Sequence, residues 1–191
     1  MADPVEGLQD QAIVTLVGLR GAGKTTVGTL LAQCMGAEFQ DLDLELARRF
    51  AAAGESTGEL LSRVGEESFR EFEAQALAAC LEHPGPLVLA TGGGALLRPA
   101  NRASLTEHSY CVWLQADPGE LSRRIAAEDL AGGASGGSTR PSLTGLEPAE
   151  EMKRLARERA AHYAAVADLA CETEGRAPEI IAAEIFSKLP R

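Results

Sequence analysis

Residues 18–25 read G-L-R-G-A-G-K-T, a run with three glycines, a lysine and a hydroxyl side chain. It satisfies G-x-x-x-x-G-K-[ST], with the apolar run "AIVTLV" before it and a helical pattern after it, the flanks this motif requires. Glycines let the backbone fold into a concavity whose N–H groups turn inward, and the following helix aims its positive dipole end at the same point. Phosphate oxygens fit such a cradle. Gly21, Ala22, Gly23, Lys24, Thr25 and Thr26 are therefore the expected contacts of a nucleoside triphosphate. Lys24 would reach the β- and γ-phosphates as a point charge, and the Thr25 hydroxyl would ligate a Mg2+ ion bridging them. A glycine-rich turn that binds nothing is the competing reading, and the full pattern with its flanks is too rare by chance to favour it.

What the triphosphate is used for depends on the rest of the chain. A switch GTPase would carry N-K-x-D for guanine, which the sequence lacks, and a motor would need a strand ending in D-E and far more chain. A small kinase remains. Three further stretches carry groups that an acceptor site could use. "FQDLD" places Asp41 and Asp43 at alternate positions, which face the same side of a strand; a polar strand-to-helix turn with Asp43 as N-cap is the other reading. "GEESFREFE" puts Arg70 on a helix between Phe69 and Phe72, either serving a site or solvated and paired with Glu66 or Glu73. "LATGGGA" closes a buried run with Gly92, Gly93 and Gly94, where bulk would obstruct a ligand lying against backbone.

These groups need a scaffold, and the apolar pattern supplies one. "AIVTLVG", "EFQDLD", "LVLATGGG", "YCVWLQA" and "LACET" read as strands, the first, third and fourth apolar enough to be buried on both faces. Between them, "KTTVGTLLAQCMG" is a helix stopped by Gly36, and "EESFREFEAQALAACLEH" sets Phe69, Phe72, Ala76, Leu77 and Cys80 along one face. "EPAEEMKRLARERAAHYAAVA" and "APEIIAAEIFSKL" are two more amphipathic helices, each with proline near its start. The alternation predicts an α/β fold: three layers, helices on both faces of a five-stranded parallel sheet, with ligands at the carboxyl ends of the strands. One segment breaks it. Residues 128–145, "EDLAGGASGGSTRPSLTG", hold no periodicity and are rich in Gly and Ser, so a flexible loop is expected there, with Arg140 inside it.

At 191 residues the chain suits one domain with one core. Acidic side chains outnumber basic ones 28 to 18, and a net charge of −10 argues against gripping a nucleic-acid backbone. No apolar run approaches the roughly 20 residues of a membrane span, and the N-terminus shows no basic segment followed by an apolar one, so cytoplasm is the expected location. Cys34, Cys80, Cys111 and Cys171 lack C-x-x-C pairing and read as inert thiols; His83, His108 and His162 lack metal-ligand spacing.

Taken in order, GLRGAGKT, DLD at Asp41, GEESFR at Gly65, GGG at Gly92, RPSL at Arg140 and RAAHY at Arg159 resemble the shikimate kinase family along almost the whole chain. The phosphate loop alone is shared by many enzymes; the ordered set is specific. The resemblance implies a P-loop kinase of nucleoside-monophosphate-kinase-like architecture, with an acceptor-binding helical region over about 43–83 and a mobile lid over about 128–146. It implies transfer of the γ-phosphoryl group of ATP to the 3-hydroxyl of shikimate, with Mg2+; a monomer is the default expectation. Asp43 then resembles the carboxylate that holds the acceptor hydroxyls, and Asp41 a partner of Mg2+ through water beside Thr25. Arg70 and Arg159 resemble the clamp on the shikimate carboxylate, aided by backbone at Gly92, Gly93 and Gly94. Arg140 resembles the lid arginine that, with Lys24 and Asp43, makes up the catalytic set, and Arg124, Arg176 and Pro178 resemble adenine-side positions. Two departures stand out: the segment before Arg140 is longer and richer in glycine than usual, and residues 51–58 look extended. Two rivals remain. A kinase for gluconate or a nucleoside monophosphate would lack paired arginines at these places, and a non-catalytic ligand sensor need not keep the catalytic groups, all of which are present here.

Overall fold

A computed structural model describes residues 13–130 and 147–190. Five parallel strands, β1 (Ile13–Val17), β2 (Glu38–Asp41), β3 (Leu87–Ala90), β4 (Tyr110–Gln115) and β5 (Leu169–Glu172), form one sheet in the order β2-β3-β1-β4-β5. β1 and β3 are buried at every residue, as continuous apolar runs in a parallel sheet require, while β2 and β5 lie at the edges and stay partly exposed. The helices are α1 (Lys24–Met35), α2 (Leu42–Phe50), α3 (Thr57–Leu81), α4 (Pro99–His108), α5 (Pro118–Leu130), α6 (Pro148–Val166) and α7 (Pro178–Lys188).

Register assigns the faces. Leu16 pairs with Val112 and Val17 with Trp113, so the first pair shares one face of the sheet and the second the other. Leu16 lies against Gly28 of α1, whereas the Trp113 ring packs on Tyr163 of α6 with centroids 5.7 Å apart, which puts α1 and α6 on opposite sides. α7 lies beside α1, and α4 beside α6. The core between these layers includes Leu16, Leu31, Leu89, Leu105 and Ile185, all fully buried; each such side chain contributes roughly 1.5–3 kcal/mol by leaving water.

Local signals set the helix ends. Asp41 N-caps α2, its carboxylate accepting from the Asp43 N–H, and Ser56 with Glu59 forms a capping box at α3. α3 carries a kink at Gly65, whose φ of 78° is unfavourable for any residue with a Cβ. Proline opens α4, α6 and α7.

Three expectations are corrected. Asp43 does not continue the second strand: β2 ends at Asp41, and Asp43 sits in the first turn of α2, so the two carboxylates are presented by a cap and a helix rather than by one face of a strand. Nor is Asp43 the N-cap, a role Asp41 takes because its side chain reaches back to the freed N–H two residues on. Residues 128–130 prolong α5 and do not begin the loop; the remainder, 131–146 with Arg140, lies outside the described residues. The apolar pattern does not mark helices α4 and α5, and α2 is implied only by the strand-to-helix reading of FQDLD. Residues 51–58 lead from α2 into α3; Glu55 accepts from the Ala52 N–H at 2.7 Å and pairs with Arg63 at 2.7 Å, and Thr57 and Gly58 are already helical.

Candidate active site

The glycine loop leaves β1 and enters α1 through Gly23, held in left-handed backbone at φ 89°. The Ala22 N–H closes the turn on the Leu19 carbonyl at 3.3 Å. Lys24, half-buried, folds back over the loop and donates from Nζ to the carbonyls of Gly18 at 3.0 Å and Leu19 at 2.9 Å. Burial lowers its pKa from 10.5 to about 8, opposed by the carboxylates of Asp43 and then Asp41. At the mouth of the loop, Thr25 Oγ1 donates to Asp41 Oδ2 at 3.1 Å, while Asp41 Oδ1 caps α2. Thr26 is exposed on the first turn of α1.

The residues expected to hold an acceptor meet on one turn. Just before it, Thr91 is 3% exposed and gives both its N–H and its hydroxyl to the Leu16 carbonyl, each at 3.1 Å. The glycines that follow each back a different side chain. A Cβ on Gly92 would lie 2.6 Å from Asp43 Oδ1, one on Gly93 would lie 3.1 Å from Arg159 Nη1, and one on Gly94 would lie 2.7 Å from Arg70 Nη1. These distances leave no room for a methyl group without moving the functional atom. The Gly93 carbonyl also accepts from Arg159 Nη1 at 2.7 Å and from the Tyr163 hydroxyl at 3.1 Å, so α6 is bonded to the turn. Arg70 pairs with Glu73 at 2.9 Å and lies 3.8 Å from Glu66. Glu73 is 3% exposed, so the guanidinium is held by a carboxylate in place and keeps further N–H donors for a ligand. Arg70 is thus ion-paired with Glu73 and at the same time lies against the turn at Gly94.

This assembly puts the glycine loop, a hydroxyl–carboxylate pair, a second carboxylate and two guanidinium groups at the carboxyl ends of β1, β2 and β3. A family model described as shikimate kinase matches residues 20–190. The chain belongs to the shikimate kinase family. A shikimate kinase from Caulobacter vibrioides is 39% identical over 185 residues, covering 96% of this chain and 84% of that protein. One from Corynebacterium efficiens is 38% identical, covering 93% and 96%. The solved shikimate kinase from Acinetobacter baumannii in complex with shikimate superimposes with a TM-score of 0.80 at 32% identity, over 92% of this chain and 91% of that one. A gluconokinase from Sinorhizobium meliloti shares the fold at a TM-score of 0.55 and 17% identity. As a shikimate kinase the protein is an ATP-dependent phosphotransferase, and its five-stranded sheet is that of the family.

Within this shikimate kinase, Arg124 reaches the phosphate loop: Nη1 donates to the Gly21 carbonyl at 3.3 Å, and the rest of the guanidinium holds Thr173 and Glu120. Arg176 donates to the Glu172 carbonyl at 2.9 Å and pairs with Glu184, two residues before Pro178 opens α7. Arg124 and Arg176 thus hold the adjacent residues 173 and 172, and Arg124 also reaches the loop. Cys34 is exposed, Cys80, Cys111 and Cys171 are buried, and all four are unbridged; burial pushes the Cys80 and Cys111 thiols up to about 11. Sequence reasoning passed over Thr91, Glu73 as a buried anchor, and Asn101, a buried amide donating to the Ala95 carbonyl at 2.9 Å just past the turn. Tyr163 had a signal in RAAHY; Thr91 and Asn101 had none, because the carbonyls they bind are distant or follow no motif.

Proposed function

We propose that the protein transfers the γ-phosphoryl group of ATP to the 3-hydroxyl of shikimate, giving shikimate 3-phosphate and ADP. The observation that carries this reading is the turn at Gly92–Gly94, where three successive glycines admit Asp43, Arg159 and Arg70 against bare backbone beside the phosphate loop. Two guanidinium groups fix a planar carboxylate bidentately, and an aspartate between them and the donor orients a ring hydroxyl. Asp43 lies close enough to Lys24 to oppose the lowering of its pKa, so nucleophile-side and donor-side charges share one space.

The reaction then needs little beyond positioning and electrostatics. The loop N–H groups and Lys24 bind the phosphate tail. Arg70 and Arg159 set the acceptor's orientation, and Asp43 accepts the hydroxyl proton as the bond to phosphorus forms. Thr25 Oγ1 and the Asp41 carboxylate are hard oxygens at the loop mouth, a donor pair that fits Mg2+ with Asp41 acting through water. When bound, that ion neutralises charge on the β- and γ-phosphates. Arg140, outside the described residues, is the remaining member of the catalytic set by the family resemblance, and Arg124, Arg176 and Pro178 border the adenine. Residues 1–191 act as one catalytic unit, a cytoplasmic monomer.

The test is ADP release measured with shikimate, gluconate and nucleoside monophosphates side by side. Turnover is expected with shikimate alone. Turnover with gluconate, or none with shikimate, overturns the reading.

A further inference from the structure

Arg20 is the residue of the phosphate loop to which the mechanism gives no part. It sits between Leu19, whose carbonyl takes Lys24 Nζ, and Gly21, whose carbonyl takes Arg124. Its backbone N lies 4.0 Å from the place a Cβ would occupy on Gly93, and Arg159 Nη1 lies 3.1 Å from that same place. Arg20 therefore borders the gap between donor cradle and acceptor clamp. Its side chain is 41% exposed and is turned to Asp129 on the last turn of α5, at 3.5 Å, and Asp129 is itself 53% exposed. α5 is seated directly on the loop, since a Cβ on Gly21 would meet the Leu121 carbonyl at 3.0 Å and Ile125 at 3.2 Å.

An exposed pair this long contributes little in water. A triphosphate in the loop presents several negative charges at close range, and a guanidinium pairs with phosphate bidentately. The stem of Arg20 is long and already rooted in the cradle. We propose that Arg20 is a further phosphate-binding residue, parked on Asp129 in the nucleotide-free protein and drawn to the terminal phosphate of ATP when the loop fills. Asp129 is then a competitor for that arginine, and nucleotide affinity is set partly by a carboxylate outside the cradle. The inference rests on the donor half of the reading above, that the loop holds a triphosphate, and is independent of which acceptor is used.

The experiment measures ATP and ADP affinity by calorimetry, with Mg2+ and no acceptor, for the wild type, Arg20→Met, Asp129→Asn and the double variant. Arg20→Met is expected to weaken ATP about tenfold, the scale of one charge-assisted hydrogen bond, and ADP less. Asp129→Asn is expected to tighten ATP about twofold, the scale of an exposed ion pair, and to have no effect once Arg20 is gone. Arg20→Lys should recover part of the loss, and the loss should shrink as salt rises. Wild-type ATP affinity in Arg20→Met, or an Asp129→Asn effect that survives in the double variant, overturns the proposal. Because no acceptor is present, that failure is distinct from a failure of shikimate to turn over.

Discussion

Between about pH 8 and the ordinary lysine value of 10.5, Lys24 is neutral in the free protein yet would be charged in an unfolded chain. The unfolded state then binds more protons, so this residue makes stability rise with pH across that window, and its unfavourable burial is fully felt below it. Phosphate reverses the preference. A polyanion in the loop favours the ammonium form, so nucleotide binding above about pH 8 should draw a proton onto Lys24. Calorimetry of ADP binding at pH 8.5 in buffers of different ionisation enthalpy should show uptake approaching about one proton, absent in Lys24→Met. Binding with no proton exchange would mean that the lysine is already charged before nucleotide arrives.

The turn after β3 behaves as an element whose absent side chains are its function. Gly92→Ala is expected to fold normally, because the atom it meets is the end of the Asp43 side chain, which can swing away. The displaced carboxylate would no longer orient the acceptor hydroxyl, and turnover should fall about a hundredfold, with ATP affinity retained. Full activity in steady-state assays of that variant would show that Asp43 works from a different position. The glycine run, the phosphate loop and the helical faces were legible in the sequence because each is a local pattern with a local cause. The start of α2 was not: "FQDLD" alternates like a strand, and only the side chain of Asp41 reaching the Asp43 N–H ends β2 there. α4 and α5 escaped notice because their apolar faces are short, with Asn101 and Leu105 buried on one and Leu121 on the other. Arg20 had no signal as anything but a variable loop position, since its partner is more than a hundred residues away.

At the scale of the molecule, the fully buried strands β1 and β3 are apolar at every position but one, and Thr15 is the exception. It is fully buried in β1, and its hydroxyl has no hydrogen-bond partner among the described residues. Removing an unsatisfied buried hydroxyl relieves a desolvation penalty, so Thr15→Val should stabilise the protein by about 1 kcal/mol, or roughly 2–4 °C in Tm for a domain of this size. Scanning calorimetry showing a lower Tm would reveal a partner for that hydroxyl. The strand order was legible only as a class. Alternating strands and helices imply a parallel sheet, but that β3 inserts between β2 and β1 depends on which apolar faces fit together.

That insertion has a consequence for inhibitor chemistry. The donor loop begins, and the acceptor turn hangs, from a single peptide oxygen, that of Leu16, through the two bonds from Thr91. The spacing between the glycine loop and the Gly92–Gly94 turn, the proposed anchor points for phosphate and for carboxylate, is thus set by these two hydrogen bonds before either ligand arrives. A rigid molecule spanning both, an anionic head joined to a carboxylated ring by an inflexible linker, would meet a ruler already cut to length and forfeit little entropy on binding.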